Sequence, residues 1–279
     1  MATPKLRQSI ADVFAQARSR DQIALMPFVP AGYPDLPTTA ALLPAIEAAG
    51  ASIIEVGIPF SDPIADGPII QEAFNKALSK KLKLADIFET IKSARPGVSI
   101  PLVAMVSYSI AYRHGIDQFI RDAADAGFDG LILPDLPPPD AEKTVEKVRS
   151  GGLDTTLLVA PTTSPNRRRE IARLSSGFIY YLSVTGITGE RNELPSDLRS
   201  GIANMKSLTD LPVCSGFGIS KPSHVLQLQG VADGAIVGSA VVRRIAQNEP
   251  NGQAAMIEGV ANYCRELLSA LPASSNTSP

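Results

Sequence analysis

The sequence has few cysteines, no excess of charge of either sign and no long hydrophobic run. The two cysteines, Cys214 and Cys264, are too few for a disulfide framework, so we interpret them as reduced thiols and expect a cytoplasmic protein. The 26 Lys and Arg residues nearly balance the 28 Asp and Glu residues, which argues against nucleic acid as the main partner. No apolar run approaches the roughly 20 residues that span a bilayer, and the N-terminal segment lacks the apolar core of a signal peptide, so we expect no membrane association.

Metal-ligand patterns are also missing. The cysteines fit no metal-ligand spacing, and the two histidines, His114 and His224, have no partners spaced for a metal or a catalytic triad. The sequence therefore predicts no metal site.

Eight short, β-branched apolar runs are present instead, and they alternate with amphipathic segments. The strand candidates span residues 23–29, 52–57, 100–108, 129–135, 154–161, 177–183, 211–218 and 233–240. The predicted helices between them span residues 38–50, 85–96, 116–127, 139–152, 165–177, 197–207 and 221–230. Strands that are apolar on both faces and alternate with helices indicate a parallel sheet covered on both sides, and eight such units fit a single (β/α)8 TIM barrel.

The alternative fold is a doubly wound open sheet. No G-x-G-x-x-G motif follows the first strand candidate, where a dinucleotide-binding sheet of that class would need one. We predict one catalytic barrel domain over residues 1–270 and a disordered, Pro/Ser-rich tail over residues 271–279. The amphipathic segment 9–20 predicts an extra N-terminal helix that covers the bottom of the barrel. Active sites of such barrels lie at the C-terminal ends of the strands.

Two acidic residues stand in the second strand and the loop after it, within IIEVGIPFSDPIADGP at 53–68. Glu55 interrupts a buried apolar run, where a carboxylate costs several kcal/mol unless it is paired, protonated or faces a cavity. It is either a structural glutamate in a salt bridge or a carboxyl that exchanges a proton near neutral pH. Asp66 is either an ordinary turn residue or an ionised partner of Glu55.

Glycine-rich segments end the sixth, seventh and eighth strand candidates. Barrels often bind phosphate in the loops after strands seven and eight, with help from a helix N-terminus. Backbone N–H groups at Gly189, Gly218 and Gly238, with the Ser239 hydroxyl, would bind phosphate oxygens without a lysine. Glycine is also the default residue of turns, and that interpretation stays open for each of them. The polar segment 188–195 is either a lid or an exposed loop.

Six segments resemble the tryptophan synthase alpha subunit family in order and spacing, over about residues 5–268. They are PFVPAGYPD (27–35), EVGIPFSDPIADGP (55–68), LPDLPPPD (133–140), LSVTGITGE (182–190), GFGIS (216–220) and AIVGSAVV (235–242). The resemblance implies a (β/α)8 barrel that cleaves indole-3-glycerol phosphate to indole and glyceraldehyde 3-phosphate. It implies that Glu55 is the acid/base residue and that Asp66 accepts a hydrogen bond from the indole N–H. The implied substrate-binding residues are Phe28, Ile70, Tyr180, Thr188, Gly189, Phe217, Gly218, Gly238 and Ser239.

The resemblance also implies a partner, a tryptophan synthase beta subunit that receives the indole within an alpha2-beta2 heterotetramer. Pyridoxal phosphate belongs to that beta subunit, and the alpha subunit needs no cofactor of its own. Ser107 and Ser109 stand in the loop after strand three, where family members commonly read Tyr-Tyr-Asn-Pro or a relative of it. Two alternatives stay open: a stand-alone indole-3-glycerol-phosphate lyase, and a non-catalytic barrel that regulates the beta subunit.

Overall fold

Eight parallel strands form a closed barrel in the order in which they occur along the chain. The computed structural model describes residues 6–62, 66–182, 197–216 and 218–271. The strands are β1 (Ala24–Pro30), β2 (Ile54–Gly57), β3 (Leu102–Met105), β4 (Gly130–Ile132), β5 (Asp154–Val159), β6 (Ile179–Leu182), β7 (Val213–Gly216) and β8 (Gly234–Val237). Pairing of β1 with β8, from Ala24 with Gly234 to Pro27 with Val237, closes the ring. The predicted single (β/α)8 TIM barrel is confirmed.

Twelve α-helices accompany the strands within the described ranges. They are α1 (Ile10–Ser19), α2 (Leu36–Ala48), α3 (Pro68–Ser79), α4 (Leu84–Ala94), α5 (Tyr108–His114), α6 (Ile116–Ala126), α7 (Pro138–Ser150), α8 (Pro165–Leu174), α9 (Leu198–Lys206), α10 (Pro222–Leu228), α11 (Ser239–Asn248) and α12 (Gln253–Leu268). All seven helices predicted between the strands are present. The prediction omits α3, α5, α11 and α12, of which α5 is only 7 residues long and too short for helical periodicity to be read.

Several strand predictions extend too far at the C-terminal end. The candidate 233–240 includes Gly238 and Ser239, but β8 ends at Val237 and α11 begins at Ser239. The candidate 100–108 likewise includes Tyr108, which is the first residue of α5. Apolar residues, Val106 and Ala240, stand beyond the last strand residue in these two places, so composition alone does not mark where the strand stops.

Proline sets the start of five helices. It occupies the first or second helical position of α2, α3, α7, α8 and α10. Its fixed φ suits the helix there, and its missing N–H removes a donor that has no intrahelical acceptor anyway. In α3 this residue is Pro68, so the helix begins two residues after Asp66.

The lumen of the barrel is filled by side chains from alternating strand positions. One buried cluster contains Ala24, Met26, Ile53, Val103, Ile132, Phe178, Tyr180, Cys214 and Ile236. Helix α1, which Ser9 caps in a capping box, adds Ile10, Val13 and Phe14 to this cluster. The ring of Phe14 lies 6.0 Å from that of Phe178, which directly precedes β6. The predicted helix at the bottom of the barrel is therefore confirmed.

A larger cluster lies between the strands and the surrounding helices, where residues such as Leu25, Val29, Ile54 and Leu102 are fully buried. Among the described residues, no helix combines the length and apolarity needed to cross a membrane. Helix α12 ends at Leu268, and residues 272–279 lie outside the described ranges. The division into a domain over 1–270 and a disordered tail over 271–279 stays a prediction.

Candidate active site

Glu55 lies in β2 and faces the lumen near its C-terminal mouth. Its register partners are Phe28 on β1 and Val103 on β3, and Val103 belongs to the lumen cluster. The side chain is 1% exposed, and its Oε1 has no hydrogen-bond partner among the described residues. Burial raises the pKa of Glu55 to about 8, because the charged form loses its hydration. This favours a carboxyl that exchanges a proton near neutral pH over one held in a salt bridge.

Asp66 lies in the segment that joins β2 to α3. Its main-chain oxygen accepts a hydrogen bond from Gln71 Nε2 at 2.7 Å. Burial raises the pKa of Asp66 to about 6. At pH 7 Asp66 is thus mostly ionised while Glu55 is mostly protonated, and two carboxyls in opposite protonation states can divide acid/base work from charge stabilisation.

Tyr180 lies near both acids, Glu55 and Asp66. It lies on β6, across the barrel from β2, and its register partners are Leu158 and Cys214. Burial raises the pKa of its hydroxyl well above the usual value, and the charges of Glu55 and Asp66 raise it further. The three groups therefore lie close enough to interact at the barrel mouth, where Tyr180 remains a neutral O–H donor at physiological pH.

Two glycines make room for the aromatic walls of the site. A Cβ atom on Gly57 would lie 2.3 Å from Cζ of Phe28, and one on Gly216 would lie 2.4 Å from the hydroxyl oxygen of Tyr180. The ring of Phe28 also packs edge-on against Phe74, with centroids 6.3 Å apart. Any side chain at either glycine would displace the neighbouring ring.

Gly218, Gly238 and Ser239 lie at the C-terminal ends of the adjacent strands β7 and β8. Gly218 has a φ of 82°, a left-handed conformation that favours glycine. Gly238 is the N-cap of α11, and Ser239 is its first residue. Apart from its neighbours along the chain and its own helix, the described atom nearest to a Cβ built on Gly238 is Ile70 Cδ1, at 3.8 Å, so the space above the helix N-terminus is open. The first N–H groups of a helix have no intrahelical acceptors and favour anions, so this space suits a phosphate.

Three of the predicted substrate-binding residues, Thr188, Gly189 and Phe217, lie outside the described residues. The segment 188–195, for which the sequence leaves a lid and an exposed loop open, lies there as well. The predictions for these residues stay predictions.

Comparison with known proteins identifies the family. The family model for the tryptophan synthase alpha chain matches residues 14–271. The chain belongs to this family. Its resemblance to the family, read from six sequence segments, is confirmed.

Individual members of the tryptophan synthase alpha chain family are similar along their whole length. The alpha chain of Rippkaea orientalis is 42% identical over 264 residues, which is 94% of this chain and 98% of that one. A solved structure from Aquifex aeolicus matches with a TM-score of 0.85 at 33% identity, covering 94% of this chain and 98% of its own. A structure of tryptophan synthase from Mycobacterium tuberculosis matches with a TM-score of 0.81 at 34% identity. The match covers 94% of this chain and 99% of that chain.

Beside Asp66, this member of the tryptophan synthase alpha family has a cleft that the sequence did not predict. Its volume is about 200 Å³, and it is lined by Ile58, Phe60, Asp62, Asp66, Phe74, Met105, Val106, Ser107, Pro134 and Asp135. Several of these residues follow the C-terminal ends of β2, β3 and β4, where barrel sites are expected. The rule that barrel sites lie at the C-terminal strand ends could have located the cleft. It does not tell which side chains point into the cleft.

The rim of this cleft is organised by hydrogen bonds between the loops after β3 and β4. Ser107 Oγ donates to Asp135 Oδ2 at 2.6 Å, and the Tyr108 N–H donates to Asp135 Oδ1 at 2.7 Å. The hydroxyls of Ser107 and Ser109 are 2.8 Å apart. Ser107 and Ser109 thus take part in one network that caps α5.

Proposed function

We propose that this chain cleaves indole-3-glycerol phosphate to indole and glyceraldehyde 3-phosphate, as the alpha subunit of a tryptophan synthase. The observation that best supports this function is the pair of buried carboxyls at one barrel mouth, Glu55 with a pKa raised to about 8 and Asp66 with a pKa raised to about 6. The open N-terminus of α11 at the same mouth suits the phosphate of the substrate.

In the proposed reaction, Glu55 gives its proton to the indole ring carbon that bears the glycerol phosphate side chain. The ring becomes a cation, and ionised Asp66 accepts a hydrogen bond from the indole N–H and stabilises the positive charge. Glu55, now a carboxylate, takes the proton of the adjacent side-chain hydroxyl. The carbon–carbon bond then breaks, its electron pair returns to the ring, and indole and the aldehyde are released with Glu55 protonated again. A carboxyl pKa of about 8 suits both transfers near neutral pH.

The remaining residues bind the substrate. Phe28, Ile70 and Tyr180 form the wall of the pocket around the indole ring. Gly218, Gly238 and Ser239 bind the phosphate, with Gly189 and Phe217 completing its site, and Thr188 closes over the bound substrate near Asp66.

We infer that the chain acts with a beta subunit in an alpha2-beta2 heterotetramer and passes indole to it. Pyridoxal phosphate belongs to the beta subunit, and the alpha reaction itself needs only proton transfer and charge stabilisation. We place the protein in the cytoplasm, because Cys214 and Cys264 are both free, buried thiols.

Indole release from indole-3-glycerol phosphate tests the proposal. We expect the purified chain to release indole, faster when the beta subunit is added, and Glu55→Gln to lower kcat by at least about 100-fold. Glu146→Gln, which removes an exposed glutamate of α7, serves as the control and should retain full activity.

Each other outcome has a definite meaning. Equal activity of Glu55→Gln and wild type would contradict the assignment of Glu55. Turnover that an added beta subunit does not change would identify a stand-alone lyase. A wild-type chain that activates the beta subunit without cleaving the substrate would identify a non-catalytic, regulatory barrel.

A further inference from the structure

Gln71 contacts the candidate site through the main chain of Asp66. Helix side chains lean toward the N-terminus of their helix, so Gln71 in the first turns of α3 reaches back over the start of the helix. Its Nε2 donates to the main-chain oxygen of Asp66 at 2.7 Å. Both residues are half-buried. The bond therefore links Asp66 directly to the body of α3.

Helix α3 is itself firmly packed against the barrel wall. Its buried face consists of Ile70, Ala73, Phe74 and Ala77. Phe74 packs edge-on against the ring of Phe28, which lies in turn over Gly57. The segment that contains Asp66 is hydrogen-bonded to this helix. Its position is therefore fixed relative to the wall of the pocket.

The hydrogen bond does not involve the acid group of Asp66. Gln71 donates to the main-chain oxygen and not to the carboxylate. The amide of Gln71 is neutral, so it fixes the backbone without adding a charge beside the carboxylate. Asparagine is one methylene shorter, and a charged side chain would change the electrostatics of the site.

We propose that Gln71 is a positioning residue for the cleavage reaction, which holds Asp66 so that its carboxylate meets the indole N–H. This inference rests on the proposed function. Because Asp66 acts on charge that develops during the reaction, misplacing it should lower kcat more than it weakens substrate binding.

The first test is Gln71→Met, assayed for indole release by the full chain. Methionine has a similar length and helix propensity but no donor. We expect kcat to fall about 10- to 100-fold while KM changes less than about threefold, since the proposed phosphate contacts lie on other elements. The matched control is Gln118→Met, which removes a Gln Nε2 bond of 2.6 Å to Asp122 on α6 and should leave both constants unchanged.

The second test is Gln71→Glu, followed by the pH profile of kcat/KM. An ionised glutamate cannot donate to the Asp66 oxygen, and its negative charge opposes ionisation of Asp66. We expect the acidic limb of the profile to move to higher pH in this variant, but to stay in place in Gln71→Met. A residue that only supports the fold would lower Tm in Gln71→Met without lowering kcat.

The outcomes separate the inference from the proposed function. An active wild-type chain with an equally active Gln71→Met variant would overturn the positioning role alone. If Gln71→Met does not fold, an unmoved acidic limb in Gln71→Glu overturns it. A wild-type chain without cleavage activity would overturn the proposed function, and the role of Gln71 with it.

Discussion

Replacing Glu55 by glutamine should change how the stability of the protein depends on pH. Burial raises the pKa of Glu55 from 4.5 to about 8, so the folded protein holds this proton more tightly than the unfolded chain does. Below pH 4.5 the residue is protonated in both states. As the pH rises toward 8, the unfolded chain ionises first, and the free energy of unfolding falls.

The size of this effect follows from the shift. Each pKa unit corresponds to about 1.4 kcal/mol, so the rise from 4.5 to about 8 gives a loss on the order of 5 kcal/mol, complete above pH 8. Glutamine has nearly the same shape and does not ionise. We therefore expect Glu55→Gln to become more stable relative to wild type by a similar amount as the pH is raised across this range.

Urea unfolding of both proteins at pH 5, 7 and 9 measures the difference directly. Glu146→Gln, at an exposed position on α7, removes a carboxylate from the surface, and its difference from wild type should hardly vary with pH. The free energy of unfolding of Glu55→Gln is compared with that of wild type. If the difference stays constant from pH 5 to pH 9, burial does not raise the pKa of Glu55, and this prediction is refuted.

Three further predictions concern the candidate site and the core. The kcat/KM for cleavage should rise with pH through about 6 as Asp66 ionises and fall through about 8 as Glu55 loses its proton, and a profile that is flat from pH 5 to pH 9 would contradict this. Ser239→Asp should raise KM for the substrate at least about tenfold, because it places an anion beside the phosphate; an unchanged KM would rule out this phosphate site. Phe14→Ala should lower the free energy of unfolding by about 3–5 kcal/mol in urea titrations, and a loss below about 1 kcal/mol would mean that α1 does not pack in the lumen.

The barrel was predictable because its strands are buried on both faces and separated by helices. All eight apolar runs form strands, but their ends were not predictable, as Ser239 illustrates. This residue lies within the segment AIVGSAVV at 235–242 and yet begins α11. Helix α3 was missed because it starts within a Pro/Gly-rich segment that resembles a turn.

Glu55 could be selected from the sequence because an acid inside an apolar strand needs a physical explanation. Gln71 could not, because a bond from a side-chain amide to a main-chain oxygen five residues earlier leaves no recognisable pattern. Met105 and Asp135 were missed for another reason: their place in the cleft depends on how two strand ends are turned in three dimensions.

The closed bottom of the barrel limits how substrate enters the site and how products leave it. Phe14 and Phe178 fill the N-terminal end of the lumen, so a molecule that reaches Glu55 has to enter and leave through the same opening. Substrate, aldehyde and indole must then pass through the same opening one after another. Any acceptor of the indole has to bind at this opening. The aldehyde has to leave past that acceptor before the next substrate enters.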